Sequence, residues 1–67
     1  MKYKVAHKDD WEQDYCETVY GSWEEVVERY GMYPKMNQWY EPYKGNVFVK
    51  IHISLAEETE ELGQRWK

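Results

Sequence analysis

His7, His52 and Cys16 are the soft ligands and nucleophiles of this 67-residue chain, and their spacing limits what they can do. A zinc site needs ligands that converge, usually from short paired spacings, and these three residues show none. Alternation within their segments also sets His7 and His52 on opposite faces of whatever strands carry them. Cys16 could serve as a nucleophile beside a histidine, but Asp14 and Glu17 flank it and place negative charge where a thiolate would form. Asp9, Asp10, Glu12 and Asp14 could supply a carboxylate pair for hydrolysis, yet acids crowded on a turn more often form solvated surface. Gly21, Gly31, Gly45 and Gly63 are isolated, so no glycine-rich loop cradles a phosphate. A binding protein with no cofactor, no metal and no catalytic residue is the expectation.

Binding has stronger candidates. In "YGMYPKMNQWYEPYKG", residues 30–45, aromatic groups and two prolines fall without a strand or helix period that would hide them all. Tyr33, Met36, Trp39, Tyr40 and Tyr43 have the character of interface anchors: large area, few rotatable bonds and a polar or adaptable tip. Pro34 and Pro42 stiffen the segment and lower the entropy lost on binding. The competing expectation is a lid, with Trp39 or Tyr30 folding inward to enlarge a small core. Charge is segregated along the chain: +3 over residues 1–8, -7 over 9–31, +2 over 32–55 and -2 over 56–67, for a net -4. The net value argues against general nucleic-acid binding, which needs a basic surface to displace counterions. The acidic stretch, with Asp9, Asp10, Glu12, Glu24, Glu25 and Glu28 as contact residues, instead fits a basic groove on a larger protein.

The elements that position these groups follow from periodicity. Residues 2–8 alternate, with Tyr3, Val5 and His7 on one side and Lys2, Lys4 and Lys8 on the other, as in a half-buried strand. Residues 15–20 read as a second strand because Thr18, Val19 and Tyr20 are strand formers, although Trp11, Tyr15 and Val19 also fit a helical stripe. "SWEE" is a capping box in which Ser22 bonds the Glu25 N–H and Glu25 reaches back to Ser22. The helix it starts places Trp23, Val26, Val27 and Tyr30 on one face, and Gly31 stops it. "GNVFVKIHISL" is a long strand with Val47, Val49, Ile51, Ile53 and Leu55 facing the helix, and residues 38–41 could pair with it as an edge strand next to Pro42. In the tail, Ser54 and Glu57 repeat a cap signal, so residues 56–67 read as a loosely ordered C-terminal helix. The sum is one small α+β domain, ββα(β)β: an antiparallel sheet of three to four strands, one short helix on one face, and a helical tail.

Over residues 2–55 the order strand, turn, strand, "SWEE", short helix, turn, long strand resembles small phage-encoded accessory proteins that inhibit host enzymes, among them short inhibitors of bacterial RNA polymerase. That resemblance implies an inhibitor or anti-defence protein but carries no residue across. The functional expectation is thus a non-enzymatic, acidic protein-binding module that occludes a basic, nucleic-acid-handling surface. The alternatives are an oligomeric nucleotide-sequestering protein, with Arg29, Lys35 or Lys44 meeting phosphate, and an accessory subunit of a larger complex. A lone cysteine and the lack of an apolar run near 20 residues point to the cytoplasm, with no membrane partner.

Overall fold

The computed structural model describes residues 1–9, 15–42, 44 and 49–66. In chain order these form β1 (Lys2–Asp9), β2 (Tyr15–Tyr20), α1 (Trp23–Tyr30), β3 (Trp39–Tyr40), β4 (Val49–Ala56) and β5 (Gly63–Trp66). The five strands make one antiparallel sheet in the order β3-β4-β1-β2-β5, with α1 across one face. The small α+β class and the single short helix agree with the sequence reading. Among the described residues, no helix is long and apolar enough to cross a membrane.

β1 is the central strand, flanked by β2 on one edge and β4 on the other. Its register sets Val5 between Thr18 of β2 and Ile53 of β4, and His7 between Cys16 and Ile51. Those positions share the helix-covered face, where Val5, Val26, Tyr30, Ile51 and Ile53 form the buried core. Tyr3, Tyr20, Trp23, Met36, Tyr40 and Val49 pack around it. Aromatic rings therefore supply much of the area that a chain this short cannot obtain from aliphatic residues.

The helix is two turns long and depends on its caps and its packing. Ser22 accepts from the Glu25 N–H at 3.3 Å, as the capping box requires. The Glu25 carboxylate is used one residue earlier than expected, accepting from the Gly21 N–H at 3.2 Å. At the other end Gly31 donates to the Val27 carbonyl at 2.8 Å and holds φ at 108°, which a side chain would resist.

The tail departs from expectation. The cap signal at Ser54 is silenced because Ser54 lies inside β4, paired with Lys4, and residues 63–66 form a strand in place of a helix. Two forces favour the strand. β2 would otherwise leave its outer backbone groups unpaired, and β5 satisfies them from Cys16 to Val19. The connection from β4 is also tied across the end of the sheet by Lys2, whose ammonium donates to the carbonyls of Glu58 and Glu60 at 2.6 Å each. Glu60 meets Lys4 at 3.5 Å and Arg65 at 3.8 Å, and Lys4 meets Glu17 at 3.7 Å. A donation from the Glu57 N–H at 2.8 Å, then the two cations, hold the Glu60 carboxyl below its usual range.

Ile53 and Leu55 share one strand and one face, yet Ile53 is 0% exposed and Leu55 54%. Ile53→Ala is expected to lower unfolding free energy by about 2–5 kcal/mol, and Leu55→Ala by no more than about 0.5 kcal/mol. Urea denaturation of the two variants checks this, and equal losses would contradict the placement of the core.

Candidate functional site

The sheet divides the candidate residues into two sets. On the helix side, Glu24, Glu25 and Glu28 are exposed along the outer surface of α1. Glu24 and Glu25 occupy its first turn, where their charge also complements the helix dipole. Asp9 ends β1, opposite Val49, with contacts of its own. Asp10, Glu12 and Tyr43 lie outside the described residues, as do Trp11, Val47 and Phe48.

The aromatic segment does not act as one surface. Tyr33 is 80% exposed just beyond the helix, with Met32 exposed beside it in the chain. Met36 and Tyr40 turn inward against the core, Tyr40 with the Lys35 ammonium 5.8 Å from its ring centre. Of the two rings that the lid reading turned inward, Tyr30 is buried, whereas Trp39 lies on the opposite face of the sheet and is 40% exposed. The alternation of an edge strand explains this: Trp39 and Tyr40 are successive residues, so they must face opposite ways. Asn37, at φ 60°, bends the chain into that edge and donates its N–H to the Ile53 carbonyl at 2.7 Å.

A polar chain runs through the helix side that residue spacing had not revealed. The Tyr30 hydroxyl lies 2.6 Å from His7 Nε2 and 2.8 Å from the Tyr20 hydroxyl. Rings of His7 and Tyr20 both meet Tyr30 edge-on. Burial, with the Tyr20 hydrogen bond, pushes the Tyr30 phenol far above its ordinary range. Burial, then the Arg29 charge, lowers the His7 imidazole, so His7 is neutral at physiological pH. The sequence carried one signal for this cluster: three polar-tipped rings on the covered faces of their elements. Which tips would meet depended on packing.

Cys16 is buried and directly opposite His7 in the β1–β2 register, a proximity the linear spacing concealed. The His7 Nε2 is nonetheless engaged by Tyr30, and the Cys16 Sγ contacts the Glu17 carbonyl at 3.8 Å. His52 pairs with Ala6 on the far side of the sheet, so the sheet separates the two histidines. Among the described residues no group of three His, Cys, Asp or Glu side chains converges as a metal would require.

Beside Tyr20 a groove of about 520 Å³ opens between α1 and Lys44, lined also by Glu25, Glu28 and Arg29. Its two carboxylates and two cations offset one another. A second groove, lined by Tyr3, Trp23, Met36 and Leu55, is apolar.

Compared with protein-family models, with curated proteins and with solved structures, the chain matches none.

The lowered His7 pKa fixes the sign of a pH effect. Between the folded and unfolded pKa values the unfolded chain binds the extra proton, so the contribution of His7 to stability is complete above about pH 6.5 and is lost as pH falls toward the folded pKa. Urea midpoints measured from pH 7.5 to 5.5 should fall for the wild type and fall less for His7→Gln. Parallel curves would show that His7 is not buried in its neutral form. Tyr30→Phe should cost about 1–3 kcal/mol at pH 7.5, because it leaves His7 and Tyr20 without their shared partner.

Proposed function

We propose that this protein is a non-enzymatic binding module, a small acidic inhibitor that docks the outer face of α1 on a basic, nucleic-acid-handling surface of a larger protein. The observation that carries this reading is the segregation of charge by face. Glu24, Glu25 and Glu28 stand exposed on one side, while the lysines of β1 project from the opposite side of the sheet. Carboxylates so grouped steer association toward a basic groove and suppress acidic partners.

The exposed pair Met32 and Tyr33 follows the helix after Gly31 and provides apolar area at its C-terminal end. Tyr33 is thus the member of the aromatic segment best placed to prolong a complex begun by the glutamates. Met36 and Tyr40 support the core, and Trp39 faces away. Action in the cytoplasm, and a biological role like that of the phage-encoded inhibitors the element order resembles, belong to the same proposal.

A small-molecule reading places a phosphate against Arg29 and Lys44 in the groove beside Tyr20. Glu25 and Glu28 line that same groove and would repel the phosphate, so the geometry favours protein docking. An accessory subunit would use the same helix face and differ only in leaving its partner active.

Immobilised wild-type protein should capture a partner from a lysate that heparin, a competing polyanion, releases. With the captured partner purified, the double variant Glu24→Lys, Glu28→Lys should slow association and flatten its dependence on salt. Glu25 is spared because it caps the helix. Tyr33→Ala should leave association near the wild-type rate and speed dissociation by roughly 30-fold, as for an interface residue worth about 2 kcal/mol. Unchanged kinetics in both variants would remove the helix side from the interface.

A further inference from the structure

The groove beside Tyr20 is lined by charges that the fold leaves unpaired. Glu25 and Arg29 stand one helical turn apart, in the order that favours an ion pair along a helix. The Glu25 carboxylate is instead drawn back to the Gly21 N–H, which donates to its Oε2 at 3.2 Å. Among the described residues no carboxylate lies within ion-pair distance of Arg29 or Lys44, and no cation lies within that distance of Glu25 or Glu28. All four side chains are exposed, and all four border one groove of about 520 Å³.

The backbone that carries these charges is held in place. Glu25, Glu28 and Arg29 ride on α1, which is capped at Ser22 and Gly31. The Lys44 N–H donates to the Tyr30 carbonyl at 3.1 Å, so Lys44 is tied to the last turn of the helix. Tyr20 supplies the aromatic part of the lining from β2, and its hydroxyl is fixed 2.8 Å from that of Tyr30.

Two carboxylates and two cations select against ligands of one sign. A phosphate drawn to Arg29 and Lys44 meets Glu25 and Glu28, and a simple amine meets the reverse. A small molecule with both an ammonium and a carboxylate finds a partner for each charge in the same groove. The volume falls within the roughly 300–1,000 Å³ of small-ligand sites. We infer that the groove between α1 and Lys44 binds such a zwitterion, an amino acid or short peptide with free termini, its carboxylate on Arg29 and Lys44 and its ammonium on Glu25 and Glu28. An apolar side chain of the ligand lies against the Tyr20 ring. This inference goes beyond the docking proposed for α1 and does not rest on it.

Amide NMR titration of the protein with L-phenylalanine and with the dipeptide glycyl-phenylalanine tests it. Saturable shifts of the Glu25, Glu28, Arg29 and Lys44 signals are expected, with a dissociation constant on the order of 0.1–10 mM for ligands of this size. The tighter of the two identifies the source of the zwitterion. Phenethylamine and phenylpropionate keep one charge each and should bind roughly 5-fold more weakly, as for the loss of an exposed ion pair. Arg29→Gln should weaken L-phenylalanine binding by a similar factor and leave phenethylamine no weaker. Glu28→Gln should weaken it and leave phenylpropionate no weaker. Both substitutions change exposed side chains, and the same spectra verify that each variant is folded. Absence of saturable shifts with either zwitterion, or equal binding of a singly charged analogue, would overturn the inference. So would shifts confined to the apolar groove at Trp23 and Met36, which would assign binding to the phenyl group alone.

Discussion

A period of two along β1 is the constraint on which the molecule rests. Val5, fully buried between Thr18 and Ile53, ties the central strand to the helix-covered core, and its neighbours Lys4 and Ala6 must then point the other way. A slip of one residue in either pairing would send lysines into the core and Val5 into water, so the register is strongly specified. Because β1 pairs on both edges, its alternation is imposed on β2 and β4 and, through them, on β5 and β3. The two faces of the protein are consequences of that one strand.

The helix is attached to this platform by apolar contact and by a polar clamp. Val26 and Tyr30 enter the core, and the Tyr30 hydroxyl then joins the tips of His7 and Tyr20. A two-turn helix has little intrinsic stability. Caps at Ser22 and Gly31 and a buried hydroxyl with two partners orient it, and that orientation turns Glu24, Glu25 and Glu28 outward. The glutamates proposed to meet a partner are thus positioned by the buried Val26 and Tyr30 behind them.

Net charge hides an uneven arrangement: Glu24, Glu25 and Glu28 stand exposed on α1, while Lys2, Lys4 and Lys8 project from the other face of the sheet, where Lys4 meets Glu17 and Glu60. The docking proposed for the protein rests on the exposed carboxylates of α1. The aromatic segment serves both sides and the core as well, since Tyr33, Tyr40 and Trp39 are sent in three directions by a bend at Asn37 and the alternation of a two-residue strand.

Local pattern alone was enough for β1, β2, the capping box at Ser22, the stop at Gly31 and the buried face of β4, because each depends on residues within a few positions of one another. It was also enough to place three lysines together on one side of β1 and His52 away from His7. Tertiary structure decided the rest. That Lys50 faces Lys8, that Cys16 faces His7, that Tyr30 bridges Tyr20 and His7, and that residues 63–66 form a strand beside β2 all depend on pairings between distant parts of the chain. The tail shows the physical reason most directly: its cap signal at Ser54 favoured a helix locally, but the unpaired edge of β2 and the ammonium groups of Lys2 and Lys4 offered more hydrogen bonds and charge partners than a helix with so few apolar residues could find.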